Sequence, residues 1–399
     1  MTEVAQAESL ILERVSKLGT RTIPLGDAVG AVLREDVCAE RDYPPFDRVT
    51  MDGIAIAYRD WQAKKTIYQV VGTQAAGSPP IKIMKLCQCV EIMTGAVLPI
   101  GTDTVVPIER VRRRNSEAQI SADTPVSARQ FIHPRGSDRL AGTHLIRSGT
   151  RIGPAETAIL ASAGYSQVIV SRLPRVAVIS TGDELVGVDE PIKPYQIRSS
   201  NDRAIEASLI RHQLAQSTRT RLKDERAKML HSVGTLHHDH DVLILSGGVS
   251  MGKYDFVPAV LEDLGIKLIL HQIEQRPGRP MWFGVSGEGK LVFALPGNPV
   301  STLVCLTRYV IPALGQALGL RPAALERVVL GEDVTFSSDL TYFLPVQLKI
   351  SSRGVGVATP RPTNTSGDFI SLADTEGFVE LSKGRNLFKK GTAVRLFRW

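Results

Sequence analysis

The apolar positions of this chain follow two rhythms, and the changes between them divide it. Near the start, Leu10, Ile11, Val15 and Leu18 recur at helical spacing within MTEVAQAESLILERVSKLG, which predicts an amphipathic helix. DAVGAVLREDVCAE predicts a second short helix leading into a strand. Between about 45 and 140, valine, isoleucine, glycine and proline dominate, with strand-like runs such as TIYQVVG and TDTVVPIE, so this stretch reads as mostly β. PAETAILASAGY returns to helix, QVIVS makes a strand, and Pro174 punctuates the chain.

From Arg175 the pattern alternates. RVAVIST reads as a strand and DRAIEASLIRHQL as a helix, with Ile205, Leu209 and Leu214 near helical spacing. DVLILSGG, the helix after Asp255, IKLILHQI, KLVFAL and the helix after Pro299 follow. Such βα alternation predicts a doubly wound parallel sheet over about 174–322. The tail holds short alternating segments, FLPVQLKI, GVGVA and TAVRLF, which predict a small β domain. The expected fold is therefore multidomain α/β and β. It comprises an N-terminal α/β domain from 1–44 with 141–173, an inserted β-rich lobe at 45–140, a doubly wound parallel-sheet domain at 174–325 and a C-terminal β domain at 326–399.

Composition narrows the class. A length of 399 residues exceeds one ordinary core and suggests about two to four domains. Glu3, Glu8 and Glu13 stand where a signal peptide would carry basic residues. The most apolar stretch, VSTLVCLTRYVIPALGQALGL, is interrupted by Arg308 and Pro312, so no membrane span is expected. Cys38, Cys87, Cys89 and Cys305 make no disulfide framework in so long a chain, and a cytoplasmic location is expected. The net charge of +7 favours anionic ligands. Nucleic acid is not expected: the basic clusters 110–114 and 219–226 lack interleaved aromatics and read as solvated faces.

The sharpest chemical signal is DVLILSGGVSMGKYD. A short apolar run ends in Gly247 and Gly248, and a helix follows. Strand, glycine turn and helix together aim backbone N–H groups at an anion, although a tight turn alone would also require glycine. Ser250 adds a hydroxyl, and Asp255 a carboxylate suited to a metal beside a phosphate. Three other strand ends carry distinctive residues: 180–184 (STGDE), 275–280 (QRPGRP) and 295–301 (LPGNPVS). Ligands of open α/β sheets bind beyond the carboxyl ends of the strands, so four such turns suggest one binding rim. Glu184 and Asp255 could share Mg²⁺, and Arg276 and Arg279 could pair with phosphate oxygens. The alternatives are a helix-start acid for Glu184 and exposed loop charge for the arginines. No nucleophile triad stands out. Cys87 and Cys89 alternate on a strand and supply too few ligands for a metal. His237, His238 and His240 read as an exposed connection before a buried strand.

With these residues in view, the chain resembles the MoeA-type molybdopterin molybdenumtransferases, which include the E domain of gephyrin. The motifs that carry the resemblance run in order: DAVGAVLREDV, PPFDRVTMDGIA, EIMTGAVLPIGTDTVVPIE, RGSDRLAGTHL, VAVISTGDELV, LSGGVSMGKYDFV, RPGRPMWFG, ALPGNPVSTLV and SGDFISLADTEGFVEL. The resemblance implies a homodimeric enzyme of molybdenum cofactor biosynthesis. Its substrates would be adenylylated molybdopterin and molybdate, its product the molybdenum-loaded cofactor with release of AMP, and its cofactor Mg²⁺. Other cofactor-assembly proteins and molybdoenzymes are further implied partners. Asp52, Thr94 and Asp138 would join the cleft with Glu184 and Asp255. Ser250 and the backbone at Gly247 and Gly248 would hold phosphate, and Pro296, Asn298 and Pro299 would shape the rim. Phosphoanhydride cleavage needs charge neutralisation and in-line positioning more than a protein nucleophile, which fits the missing triad. The chain departs from the family at two positions. Ile54 replaces a tyrosine, and Ser199 stands where an acid is usual. These departures raise the alternative of a non-catalytic relative that binds and delivers or stores the pterin.

Overall fold

The structure is a computed structural model and describes residues 1–249 and 255–399. Ser250 thus lies outside the described residues. The chain forms two compact units. One comprises Met1–Glu35, Ser148–Pro154 and Gln167–Trp399; the other comprises Asp36–Arg147 and Ala155–Ser166.

The first unit is built on a six-stranded sheet. Its strands are β1 (Arg175–Thr181), β2 (Gln216–Leu222), β3 (Val242–Ser246), β4 (Lys267–His271), β5 (Trp282–Val285) and β6 (Leu291–Leu295), in the spatial order β2-β1-β3-β6-β5-β4. Pairings β1–β2, β1–β3 and β3–β6 are parallel, while β5 pairs antiparallel with both β6 and β4. Only β5 therefore runs against the others, and β4 still ends at the same rim as β1, β3 and β6. The sequence reading passed over β5, because MWFGV is short and follows a proline turn.

Helices cover both faces. They are α1 (Asn201–Arg211), α2 (Arg226–Asp239), α3 (Val257–Asp263) and α4 (Pro299–Cys305). Val178, Ile205, Leu209, Ile244 and Phe293 pack on one side. Ala177, Met229, Val233, Leu245 and Leu261 pack on the other. Period two along the strands sends neighbouring residues to opposite cores, as a sheet buried on both faces requires.

The N-terminal helix Val4–Leu12 buries Val4, Ala7 and Ile11 in the first of these cores. Beyond α4 the chain makes a π-turn at Leu306–Val310, which places Arg308 in the interior, 1% exposed. Its guanidinium pairs with Glu8 at 2.8 Å and Glu380 at 3.2 Å and lies over the Tyr309 and Phe397 rings. The second helix expected at DAVGAVLREDVCAE does not form. A single 3-10 turn, Leu25–Asp27, is followed by Gly30 at φ +84° and by bridges Val32–Arg151 and Leu33–Val170, which draw the segment into extended backbone. The C-terminal sheet closes on itself: Thr341–Ile350 pairs with Gly356–Pro360, which leads through Arg327–Leu330 and Ala393–Arg398 to Gly377–Leu381, and that strand pairs back with Thr341–Ile350.

The second unit carries a six-stranded sheet that includes Gly53–Ile56, Ile67–Gln74, Gln88–Ile92 and Thr104–Pro107. Ile54 is fully buried there, packed in a cluster with Ile56, Tyr68 and Val106. A side chain committed to that core explains why an aliphatic residue serves at this position. Cys87 sits at φ +58° outside the strand, and Cys89 is buried within it, its thiol pushed up to about 12 by burial.

Candidate active-site cleft

Beyond the carboxyl ends of β1, β3 and β6 lies a cavity of about 720 Å³. Glu184, Ser199, Gly247, Gly248, Asp255, Pro296, Asn298 and Pro299, all singled out in the sequence, line it. Arg276 and Arg279 line an adjoining cavity of about 450 Å³, which shares Pro280, Pro296 and Asn298 with the first. Neither guanidinium makes a hydrogen bond or ion pair among the described residues, so both remain available to an anion.

The glycine turn is built for close approach. Gly247 and Gly248 adopt φ +98° and +65°, and a Cβ on Gly247 would lie 2.6 Å from the Thr181 carbonyl oxygen. The Gly247 N–H already donates to Leu295 O at 3.2 Å, whereas Gly248 N–H has no partner among the described residues. The sequence assigned both amides to phosphate; the geometry leaves that of Gly248. Asn201, at the start of α1, ties the rim together by donating to Ser246 Oγ and Gly297 O, both at 2.8 Å.

The acids of this cleft include one that the sequence reading passed over. Asp224, just after β2, lines the same cavity, and its Oδ1 is buried without a hydrogen-bond partner among the described residues. Its pKa is raised, first by burial and then by the negative charges of Asp183, Glu184 and Asp255. No group of three or more His, Cys, Asp or Glu side chains forms a ready-made metal cage among the described residues. Mg²⁺ asks for less: one or two carboxylates, with waters and substrate phosphates completing its shell. An unpartnered carboxylate oxygen facing further acids fits such a cation.

Ser199 is 7% exposed, and its hydroxyl donates to Asp202 Oδ1 at 2.7 Å. Asp202 is itself buried and receives Arg219 at 3.2 Å, while Arg219 also pairs with Glu206 at 2.7 Å. Negative charge therefore stands beside Ser199, three residues along. Arg198 does not face it: its guanidinium is committed to the carbonyls of Gly187, Val188 and Glu190.

Within the second unit, Asp52 and Thr94 meet. Thr94 donates to Asp52 Oδ1 through its hydroxyl at 2.7 Å and its N–H at 2.6 Å. These bonds, the hydroxyl foremost, hold the Asp52 carboxyl below its usual range. Asp138 pairs with His133 Nε2 at 2.8 Å, and it lines a separate cavity of about 520 Å³ with Tyr43 and Ile159. The histidine cluster is not a loop. His237 and His238 end α2, where Lys290 Nζ donates to their carbonyls at 2.7 and 3.1 Å.

An open α/β sheet with a polar cleft beyond its strand ends is the arrangement in which such folds bind ligands. Three family models together span almost the whole chain: the MoeA N-terminal region (domains I and II) at residues 2–164, a probable molybdopterin binding domain at 177–316, and the MoeA C-terminal region (domain IV) at 327–398. The chain belongs to the molybdopterin molybdenumtransferase family. It is 36% identical to the molybdopterin molybdenumtransferase of Synechocystis sp. over the full length of both chains. It is 32% identical to that of Bacillus subtilis, over 94% of this chain and 89% of the other. Its fold matches a molybdopterin biosynthesis MoeA protein from Pyrococcus horikosii with a TM-score of 0.83 and 31% identity, over 100% of this chain and 99% of that one. The family places the chain in molybdenum cofactor biosynthesis as a transferase. No described helix is long and apolar enough to cross a membrane.

Proposed function

We propose that this chain transfers molybdenum from molybdate into adenylylated molybdopterin and releases AMP, using the cleft at the ends of β1, β3 and β6. The observation that carries the reading is the gathering of Glu184, Asp224 and Asp255 in one cavity with the Gly247–Gly248 turn, where an Asp224 oxygen has no partner among the described residues. Glu184 and Asp255 would hold Mg²⁺ with waters and substrate phosphates completing its shell, and the bound ion would neutralise charge on the phosphoanhydride. The Gly248 N–H would receive a phosphate oxygen, and Arg276 and Arg279 offer two further cations to an oxyanion in the adjoining cavity. Pro296, Asn298 and Pro299 fix the wall between the two cavities; Asn298 is itself held by its bond to Ser366 Oγ at 2.7 Å. Asp52, Thr94 and Asp138 of the second unit enter this reading through the resemblance, as do the homodimer and the cytoplasmic setting.

The non-catalytic alternative rested on Ile54 and Ser199. The first is a core residue, and the second donates to Asp202, a carboxylate that lines a neighbouring cavity and pairs with Arg219. The test supplies adenylylated molybdopterin, molybdate and Mg²⁺, then follows AMP release and molybdenum incorporation. Both should occur together. Tight binding of the pterin nucleotide without AMP release would reject the transferase reading in favour of delivery or storage.

A further inference from the structure

One side chain on the cleft wall has a chemistry that the phosphate and metal groups leave unused. Phe369 lines the 720 Å³ cavity and is the only aromatic to do so among the described residues. It remains 41% exposed, whereas Phe343 and Phe378 of the same C-terminal region are fully buried. A single exposed phenylalanine is ordinary on a protein surface. This one differs because its backbone is fixed and its position is set from the cleft itself.

The fixing is specific. Ser366 accepts from Asn298 Nδ2 at 2.7 Å through its hydroxyl and from the Val300 N–H at 3.1 Å through its carbonyl, tying the segment to the turn after β6. The Asp368 carboxylate accepts from the Asn364 N–H at 3.0 Å and the Ser371 hydroxyl at 2.8 Å. Those bonds, led by the Asn364 N–H, keep Asp368 below its usual range, so the clamp stays ionised at neutral pH. Phe369 N–H donates to Gly367 O and its carbonyl accepts from Leu372 N–H, both at 3.0 Å. The ring therefore stands on a braced turn at the edge of a polar cavity. Further apolar surface comes from Leu185, Pro296, Pro299 and Ile197, the last 57% exposed.

We propose that Phe369 is a substrate-binding platform on which a planar heteroaromatic ring of the pterin nucleotide stacks. The proposal rests on the nucleotide reading of the cleft and adds to it the part of the ligand that phosphate-binding groups cannot recognise. Stacking on an aromatic face requires only a π-surface, which adenine and pterin both present. The phosphates would then lie toward Gly248 and the acids, and the ring toward the C-terminal domain, so that each end of the ligand meets a different part of the unit.

The experiment measures AMP and 6-hydroxymethylpterin binding, with Mg²⁺ present, to the full chain and to its Phe369→Ala and Phe369→Trp forms. Phe369→Ala should weaken one of the two ligands roughly 5- to 150-fold, the range of one aromatic stack. Phe369→Trp should bind within about threefold of the parent, because a larger π-face replaces the smaller. The ligand that responds identifies the ring, adenine or pterin. Equal affinities of parent and Phe369→Ala for both ligands would overturn the proposal and leave the nucleotide reading standing. Equal weakening by Ala and Trp would also overturn it, by showing that the turn rather than the ring matters. A parent that binds neither ligand would remove the nucleotide reading and this proposal with it. Thermal midpoints should agree among the three forms, since the ring is largely outside the core.

Discussion

Asp52 and Asp224 are carboxylates that this fold treats in opposite ways. Asp52 is exposed, yet two donors from Thr94 satisfy one of its oxygens and favour its charged form. Asp224 is partly buried, receives a backbone hydrogen bond from Asp183, has one oxygen with no partner among the described residues, and faces Asp183, Glu184 and Asp255. A carboxylate whose oxygen is met by two donors is already positioned; one with an oxygen left over suits a cation. The first would act through geometry, the second through what it recruits.

The largest effect should come from Asp255→Asn, which keeps shape and removes a charge beside Asp224. Turnover should fall roughly 100- to 1000-fold with KM changed only a few-fold, as for loss of an interaction made in the transition state. Parent-like AMP release by this variant would mean that Asp255 is structural. Asp224→Asn sharpens the contrast. Relief of repulsion from Asp183 and Glu184 should hold or raise the thermal midpoint without added metal, while turnover drops. The parent should gain thermal stability with Mg²⁺ and this variant should gain less, by the usual linkage. A lower midpoint for the variant would show Asp224 to be satisfied in the folded protein.

On the other side of the comparison, Thr94→Val removes the donor chiefly responsible for lowering the Asp52 pKa and leaves the backbone donor. A lowered pKa keeps the carboxylate charged as pH falls, so its loss should move the acid limb of the pH–rate profile to higher pH. An unmoved limb would exclude Asp52 from the rate. The smallest effect concerns Ser199→Asp, which would set a second carboxylate against the Asp202 oxygen that Ser199 now serves. Loss of that bond and the added repulsion should cost about 1–3 kcal/mol, read by denaturant unfolding. Ser199→Asp combined with Asp202→Ser should restore stability. Undiminished stability in the single variant would show that Arg219 can serve both acids.

Much of this was legible in the sequence where local pattern and packing agree. The strand RVAVIST is Arg175–Thr181, QVIVS is Gln167–Ser171, and the rim residues Glu184, Gly247, Asp255 and Asn298 do line one cavity. The failures share a cause, which is that partners distant in the chain decide them. Asp224 sits in the charged run 219–226 and reads as solvated surface; only the pairing of β2 with β1, whose other edge takes β3, brings it to the cleft. Asp202 opens the helical segment DRAIEASLIRHQL without drawing attention in the sequence, and its link to Ser199 and Arg219 appears only when α1 packs by β2. The expected helix at DAVGAVLREDVCAE has fair periodicity, but bridges to Arg151 and Val170 override it. Phe369 is one of several aromatics in the tail, and nothing local indicates that Asn298 and Val300 hold its turn against the cleft.

The first unit joins segments that are far apart in synthesis. Thr2 bridges to Ile273, and the Leu18 N–H donates to Ala317 O. A nascent chain leaving the ribosome must therefore carry its first helix undocked while some 270 further residues are made, on the order of 15–55 seconds at bacterial elongation rates. Arrested chains that end before about residue 300 should lose the segment ahead of Glu35 to brief proteolysis, and full-length chains should keep it. For that interval, the apolar face of Val4, Ala7 and Ile11 is a natural point for chaperone capture.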